Sequence, residues 1–195
     1  MRLSIEERKP IILQEAAKLL AFHGYAGLTT RKLADAAATR ETILYRCFPS
    51  KEEIVLSCLV LAKDKQLKEW ENMRSSSLSS LETLKKIVSV FVGRKSQESR
   101  NFLMLTRLNA EPLPEELRTE VKEVYSSWLD WLDILVANTL KEMDKDPAAS
   151  RDKALALLHW GVGLGNLQLA ELPESLDPLI SARQMQLAFK MLEEL

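Results

Sequence analysis

The chain has 195 residues, 46% hydrophobic and 28% charged, with a formal net charge of −1, the balance of an ordinary soluble globular protein. No apolar run reaches the ~18 residues of a membrane span, and the opening MRLSIEERKP lacks the apolar core of a signal peptide. Cys47 and Cys58 are too few for a disulfide framework, so a cytoplasmic protein without membrane contact is expected.

The small net charge hides an asymmetry. Residues 1–51 hold nine Lys/Arg against five Asp/Glu, and the remainder holds 18 against 23. A basic first quarter on an acidic body points to a polyanion as the partner of the first quarter alone.

The elements are helical throughout. PIILQEAAKLLAFHG puts Ile12, Ala16, Leu19 and Leu20 on one stripe. Pro10 suits the first helical position, and Gly24 suits the stop. Thr29 or Thr30 caps a second helix running to about Ala36, and a turn, Ala37-Ala38-Thr39, follows. The third helix ends near Phe48, because Pro49 disfavours helical geometry in the residue before it. Ser50-Lys51-Glu52-Glu53 reads as a capping box opening a fourth helix to about Arg74.

Beyond the polar break SSSLSS (75–80) come five more amphipathic stretches. Asp146-Pro147 and Asp177-Pro178 read as cap and first-turn pairs opening the last two. The expected fold class is all-α with about nine helices: an N-terminal three-helix domain (1–51) and a C-terminal helical bundle (52–195).

Two short helices joined by a three- to four-residue turn can hold the second proud of the surface, where it fits a major groove. Leu33, Ala34, Ala37 and Leu44 can bury the inner faces, while Arg31, Lys32, Arg40, Arg46 and Lys51 are available for phosphates. Tyr45 adds a hydroxyl on a stiff ring, and Lys51 sits at a helix start, where the dipole also favours an anion.

GLTTRKLADAA…LYRCFPSKEEI resembles the DNA-binding domain of the TetR family of transcriptional regulators. The matching positions are Leu33-Ala34, Leu44-Tyr45, Phe48, Ser50-Lys51 and Ile54, with Gly24-Tyr25 upstream; the likeness covers about residues 8–56. It implies that Arg31, Glu41, Thr42 and Ile43 read bases. It implies that Thr29, Thr30, Tyr45, Arg46 and Lys51 hold phosphates, with Arg40 beside them. Arg pairs with guanine, Glu accepts from cytosine, and Thr or Ile touches a thymine methyl. Ala38-Thr39-Arg40 departs from the family's Gly-Val-Ser turn. Ala38 is costlier than Gly by about 1–2 kcal/mol if the turn needs a positive φ, and Thr39 is a candidate cap.

The resemblance further implies a homodimer through the last two helices, a palindromic operator in double-stranded DNA, and release of a repressor by a small, largely apolar effector. Met104, Arg107, Trp128, Trp131, His159, Trp160 and Asn166 are the candidate effector contacts. Arg107 has three possible partners: an acidic ligand, Glu111 or water. In HWGVGLGNLQ, Gly161 and Gly165 each cost about 1 kcal/mol within a helix. A close helix at a dimer contact is the favoured reason for them, with a cavity wall or kink as the alternative.

No metal, nucleophile or phosphate-loop motif occurs, and His23 and His159 stand far apart. The sequence asks for no cofactor and no metal, and a regulator rather than an enzyme is expected. A helical adaptor for an acidic protein partner, or a small helical enzyme, is the alternative.

Overall fold

A computed structural model of the chain describes residues 3–74, 77–92, 97–169 and 177–194. The described helices are α1 (Ile5–Gly27), α2 (Thr30–Ala36), α3 (Glu41–Cys47), α4 (Lys51–Met73), α5 (Ser80–Val92), α6 (Gln97–Asn109), α7 (Glu115–Glu142), α8 (Ser150–Leu169) and α9 (Asp177–Glu193). A 3-10 turn, Pro147–Ala149, precedes α8, and no strand occurs among the described residues.

α1 starts earlier than the sequence suggests. Ser4 Oγ accepts from the Glu7 amide at 3.2 Å, and Glu7 Oε2 accepts from the Ser4 amide at 2.8 Å. This capping box satisfies two orphan donors at once and places Pro10 inside the helix, not at its first position. Lacking an N–H, Pro10 leaves the Glu6 carbonyl without its helical donor, at a site exposed to water. At Gly24 the backbone leaves helical geometry (φ 67, ψ −172), and one further turn runs to Gly27. That conformation is essentially restricted to glycine.

Between α2 and α3 the chain closes in a Schellman arrangement. The Thr39 amide bonds Ala34 O at 2.8 Å and the Ala38 amide bonds Asp35 O at 3.1 Å, with Ala38 at φ 47. The Ala38 position therefore does require the left-handed region, as its departure from the family pattern suggested. Thr39 is not the cap of α3. Arg40 occupies that position without a side-chain hydrogen bond, and Thr39 Oγ1 accepts instead from Arg8 of α1 at 3.3 Å. α7 ends in the same way, with Asp144 at φ 54 and the Lys145 amide bonded to Leu140 O at 2.8 Å.

α2 and α3 pack on α1 and on each other, burying Leu33, Ala34, Leu44, Cys47 and Phe48 against the stripe of Ile12, Ala16 and Leu20. α4 is capped by Ser50, whose hydroxyl accepts from the Glu53 amide at 3.1 Å. It buries Ile54, Val55, Cys58, Leu59, Ala62, Gln66 and Trp70, contacting α1 on one side and α7 on the other. The most extensive pairing between helices is α1 on α6. The three-helix head is thus seated on the bundle through α4 and α6, and both helices reach the inner cavity described below.

Candidate nucleic-acid interface and ligand cavity

α3 is two turns long, and its sequence divides it cleanly. Leu44 and Cys47 are buried, Ile43 is half-buried, and Glu41, Thr42, Tyr45 and Arg46 are exposed. Tyr45 is 55% exposed although it is a large aromatic on a seven-residue helix. Thr29 caps α2 by accepting from the Lys32 amide at 3.2 Å. Its hydroxyl therefore holds the helix start next to Arg31 and Lys32, both exposed.

Beside α3 lies a concavity of about 700 Å³ lined by Arg8, Ala38, Thr39, Arg40, Thr42, Ile43 and Arg46. Three guanidinium groups face one hollow at the edge of the exposed helix. Arg8, Arg31, Lys32, Arg40 and Arg46 form no ion pair among the described residues. Cations left unneutralised around one helix match the phosphate ladder of a duplex. Arg8 was missed from sequence because it stands some thirty residues upstream in α1; only packing of α1 on the turn brings it here.

Two of the sequence-expected residues meet each other. Thr30 Oγ1 donates to Glu41 Oε2 at 2.6 Å, tying the start of α2 to the start of α3. The Glu41 carboxylate also lies in the first turn of α3, where the dipole favours negative charge. Lys51 is set apart from the arginine hollow. Its ammonium lies 3.9 Å from the centre of the Tyr25 ring, and burial lowers its pKa, opposed by Glu52 and Glu111. Tyr25 in turn donates to Glu52 Oε1 at 2.6 Å. Burial first, then this carboxylate, pushes the phenol up to about 12.

In the bundle, a small apolar cavity of about 20 Å³ lies between α4, α5, α6, α7 and α8, room for about one water. Trp70, Phe102 and Trp160 form much of its wall, with Ile87 and Val88 of α5. Of the sequence candidates, Trp160 lines the cavity. Trp128 is buried beside it, stacked on Phe102 with ring centroids 4.4 Å apart. Trp131 lies 5.2 Å from the Trp70 ring and donates to Glu71 at 3.2 Å. Met104 is 1% exposed within the core.

Arg107 takes the second of its three possible partners, with its Nε 3.3 Å from Glu111 Oε1. It does not line the cavity. His159 is exposed on α8, away from the cavity wall. The side chain of Asn166 and the surroundings of Gly165 lie outside the described residues. Trp70 and Phe102 carried no signal in sequence beyond that of ordinary core aromatics.

Gly161 is a cavity wall. A Cβ there would lie 3.2 Å from the Phe102 ring, so its close neighbour within the chain is α6. Several buried polar groups around this core have no partner among the described residues: the Trp160 and Trp128 indole N–H groups and both amide atoms of Gln66.

Residues 12–58 match the family model of bacterial regulatory proteins, tetR family, the stretch from the α1 stripe to Cys58 of α4. Over 127 residues the chain is 24% identical to the uncharacterized HTH-type transcriptional regulator YuxN of Bacillus subtilis (strain 168). That match takes in 65% of this chain but 44% of the relative, so the chain spans less than half of that protein's length.

Among solved structures, a TetR-family regulator from Agrobacterium tumefaciens superposes with a TM-score of 0.80 at 18% identity, over 94% of this chain and 98% of that one. FadR from Bacillus subtilis, in complex with stearoyl-CoA, gives 0.73 at 16% identity over 92% and 96%. AibR, in complex with isovaleryl coenzyme A and operator DNA, gives 0.70 at 16% identity over 93% and 97%. At these identities the structures establish the fold. The tetR-family model matches the head alone, and the body is similar to these regulators in fold.

Proposed function

We propose that the protein is a cytoplasmic homodimeric repressor. Its head, residues 1–51, reads one half-site of a palindromic operator, and its body, residues 52–195, binds a small, largely apolar effector that releases the DNA. The observation that carries the reading is the exposed face of α3. Thr42 and Tyr45 stand clear of the core beside the hollow of Arg8, Arg40 and Arg46. In the groove, Thr42, half-buried Ile43, Glu41 and Arg31 meet base edges, while Thr29, Thr30, Tyr45 and the arginines meet phosphates. Lys51 serves as a phosphate contact only by giving up its place over Tyr25.

FadR and AibR, similar in fold, are seen with acyl-CoA ligands, and AibR also with operator DNA. They support a ligand-responsive regulator here. The cavity beside Trp160 is the natural effector site. Its 20 Å³ admits no organic ligand as it stands, so binding must part α5 or α8 from Trp70 and Phe102. The unpartnered Trp160 N–H then gains an acceptor from the ligand. Such a ligand shifts the head-to-head spacing of a dimer joined through α8 and α9 only to the extent that it prefers one state.

The test is selection from random duplexes with the purified chain near physiological salt. An inverted repeat with half-sites about one helical turn apart, or a multiple of it, is expected. Recovery of sequence without any repeat, or of no duplex even at low salt, overturns the reading.

A further inference from the structure

A second opening, distinct from the inner cavity, lies where the head meets the body. It is a groove of about 590 Å³ walled by α1 and α4, with Asn101 of α6, and its size falls within the range of small-molecule sites. The wall from α1 is one face of the helix, Pro10, Leu13, Gln14 and Ala17, about 10 Å long. The facing wall from α4 runs from Cys58 through Leu61 and Ala62.

Three features mark this groove as a site. Leu61 is 37% exposed there, an apolar side chain that water does not suit. Asn101 is 5% exposed, and its amide nitrogen has no acceptor among the described residues; native proteins rarely leave such a donor unpaired. Lys65 and Lys68 line the same groove, are exposed, and have no acidic partner among the described residues. Glu69 also lines it and has a partner, while its buried Oε2 makes no hydrogen bond. Beside that oxygen, the uncommitted groups are an apolar strip, two ammonium ions and one buried amide donor.

We propose that this groove binds an amphiphilic monocarboxylate. The apolar tail lies along Leu13, Ala17 and Leu61, and the carboxylate accepts from Lys65, Lys68 and the Asn101 amide. A single negative charge suits the groove better than a dianion, because Glu69 shares the wall. The ligand bridges α1 of the head to α4 and α6 of the body, so it fastens the two together. The site does not depend on DNA binding.

Decanoate and decanol, each below its aggregation threshold, are titrated calorimetrically into the full chain. They share a tail and differ in charge. Decanoate is expected to bind once per chain and at least tenfold more tightly than decanol. The double variant Lys65→Glu with Lys68→Glu, at exposed positions, is expected to erase that preference. Asn101→Leu is expected to weaken decanoate, and Leu61→Trp to block both. Circular dichroism checks that each variant is folded. Absence of decanoate binding, equal binding of the two probes, or binding unchanged by charge reversal and by Leu61→Trp would overturn the proposal; the last result assigns the probe to the inner cavity.

Discussion

Ala38 is a non-glycine residue held at φ 47, at the point where α2 must stop for α3 to begin. The left-handed region costs an L-residue about 1–2 kcal/mol, and glycine returns roughly 0.4–1 kcal/mol of that through a freer unfolded chain. Ala38→Gly is therefore expected to stabilise the protein by up to about 1 kcal/mol, a rise of roughly 2–4 °C in Tm for a chain of this size. Thermal denaturation reads it directly, and a lowered Tm would mean that the turn is not strained.

Cys58 and Tyr125 share a different residue-scale property. Burial raises the Cys58 thiol from 9.0 to about 12 and the Tyr125 phenol from 10.0 to about 12. Tyr25 moves the same way. Each group stays protonated in the folded chain after its unfolded counterpart has ionised. Between about pH 9 and 12 the native state then binds more protons, and stability falls as pH rises. The lowered pKa of Lys51 works in the opposite sense, as one group against three. Urea midpoints are expected to drop steadily above pH 9 and to drop less in Cys58→Ala. A flat profile would show that these groups titrate alike in both states.

The proposed DNA-reading surface is assembled from several helices. α3 alone contributes too few cations to hold a duplex, and the arginine hollow needs α1 to deliver Arg8 against Thr39 at 3.3 Å. A phosphate contact contributes to affinity through counterion release, so its loss flattens the salt dependence of binding. Arg8→Ala and Arg46→Ala are each expected to lower the slope of log K against log salt by about 1 while leaving the preferred sequence intact. Thr42→Ala is expected to change base preference with the slope preserved. If Arg8→Ala leaves the slope untouched, its guanidinium serves the turn and not the DNA. The two short helices themselves were readable because their signals are local: Thr29 as cap, Pro49 as stop, Ser50 as the next cap. Arg8 and the 3.2 Å approach of Phe102 to Gly161 were not readable, because neither spacing nor residue type says which distant helix will lie alongside.

For the molecule as a whole, the packing of α1 on α6 that seats the head on the body includes a small polar junction. Glu111, between α6 and α7, accepts from the Ala26 amide at 3.2 Å and lies 3.3 Å from Arg107 Nε. Its carboxylate occupies the space that a Cβ on Gly24 would need, 1.7 Å from that position. Gly24 is thus required twice, for its φ of +67 and for the approach of Glu111. A hydrogen bond to a charged group contributes about 1.5–3 kcal/mol, and half-exposed Arg107 adds little more. Glu111→Ala is expected to destabilise by about 1–2 kcal/mol and to speed hydrogen exchange of the Ala26 amide at least tenfold, ahead of the bundle core. Uniform acceleration in head and bundle would show that the junction has no separate role.

The sequence by itself determined the helical class, the two short helices with their turn, and the family of the head, since caps, breakers and hydrophobic period act within a few residues. It also nominated the cations around α3. Tertiary structure alone decided which aromatic residues wall the cavity, that Thr30 is bonded to Glu41, that Arg107 answers Glu111, and that α1, α4 and α6 leave a groove open between them. Each of these depends on helices brought together across long stretches of chain, where complementary volume and charge choose the neighbour and local sequence does not specify it.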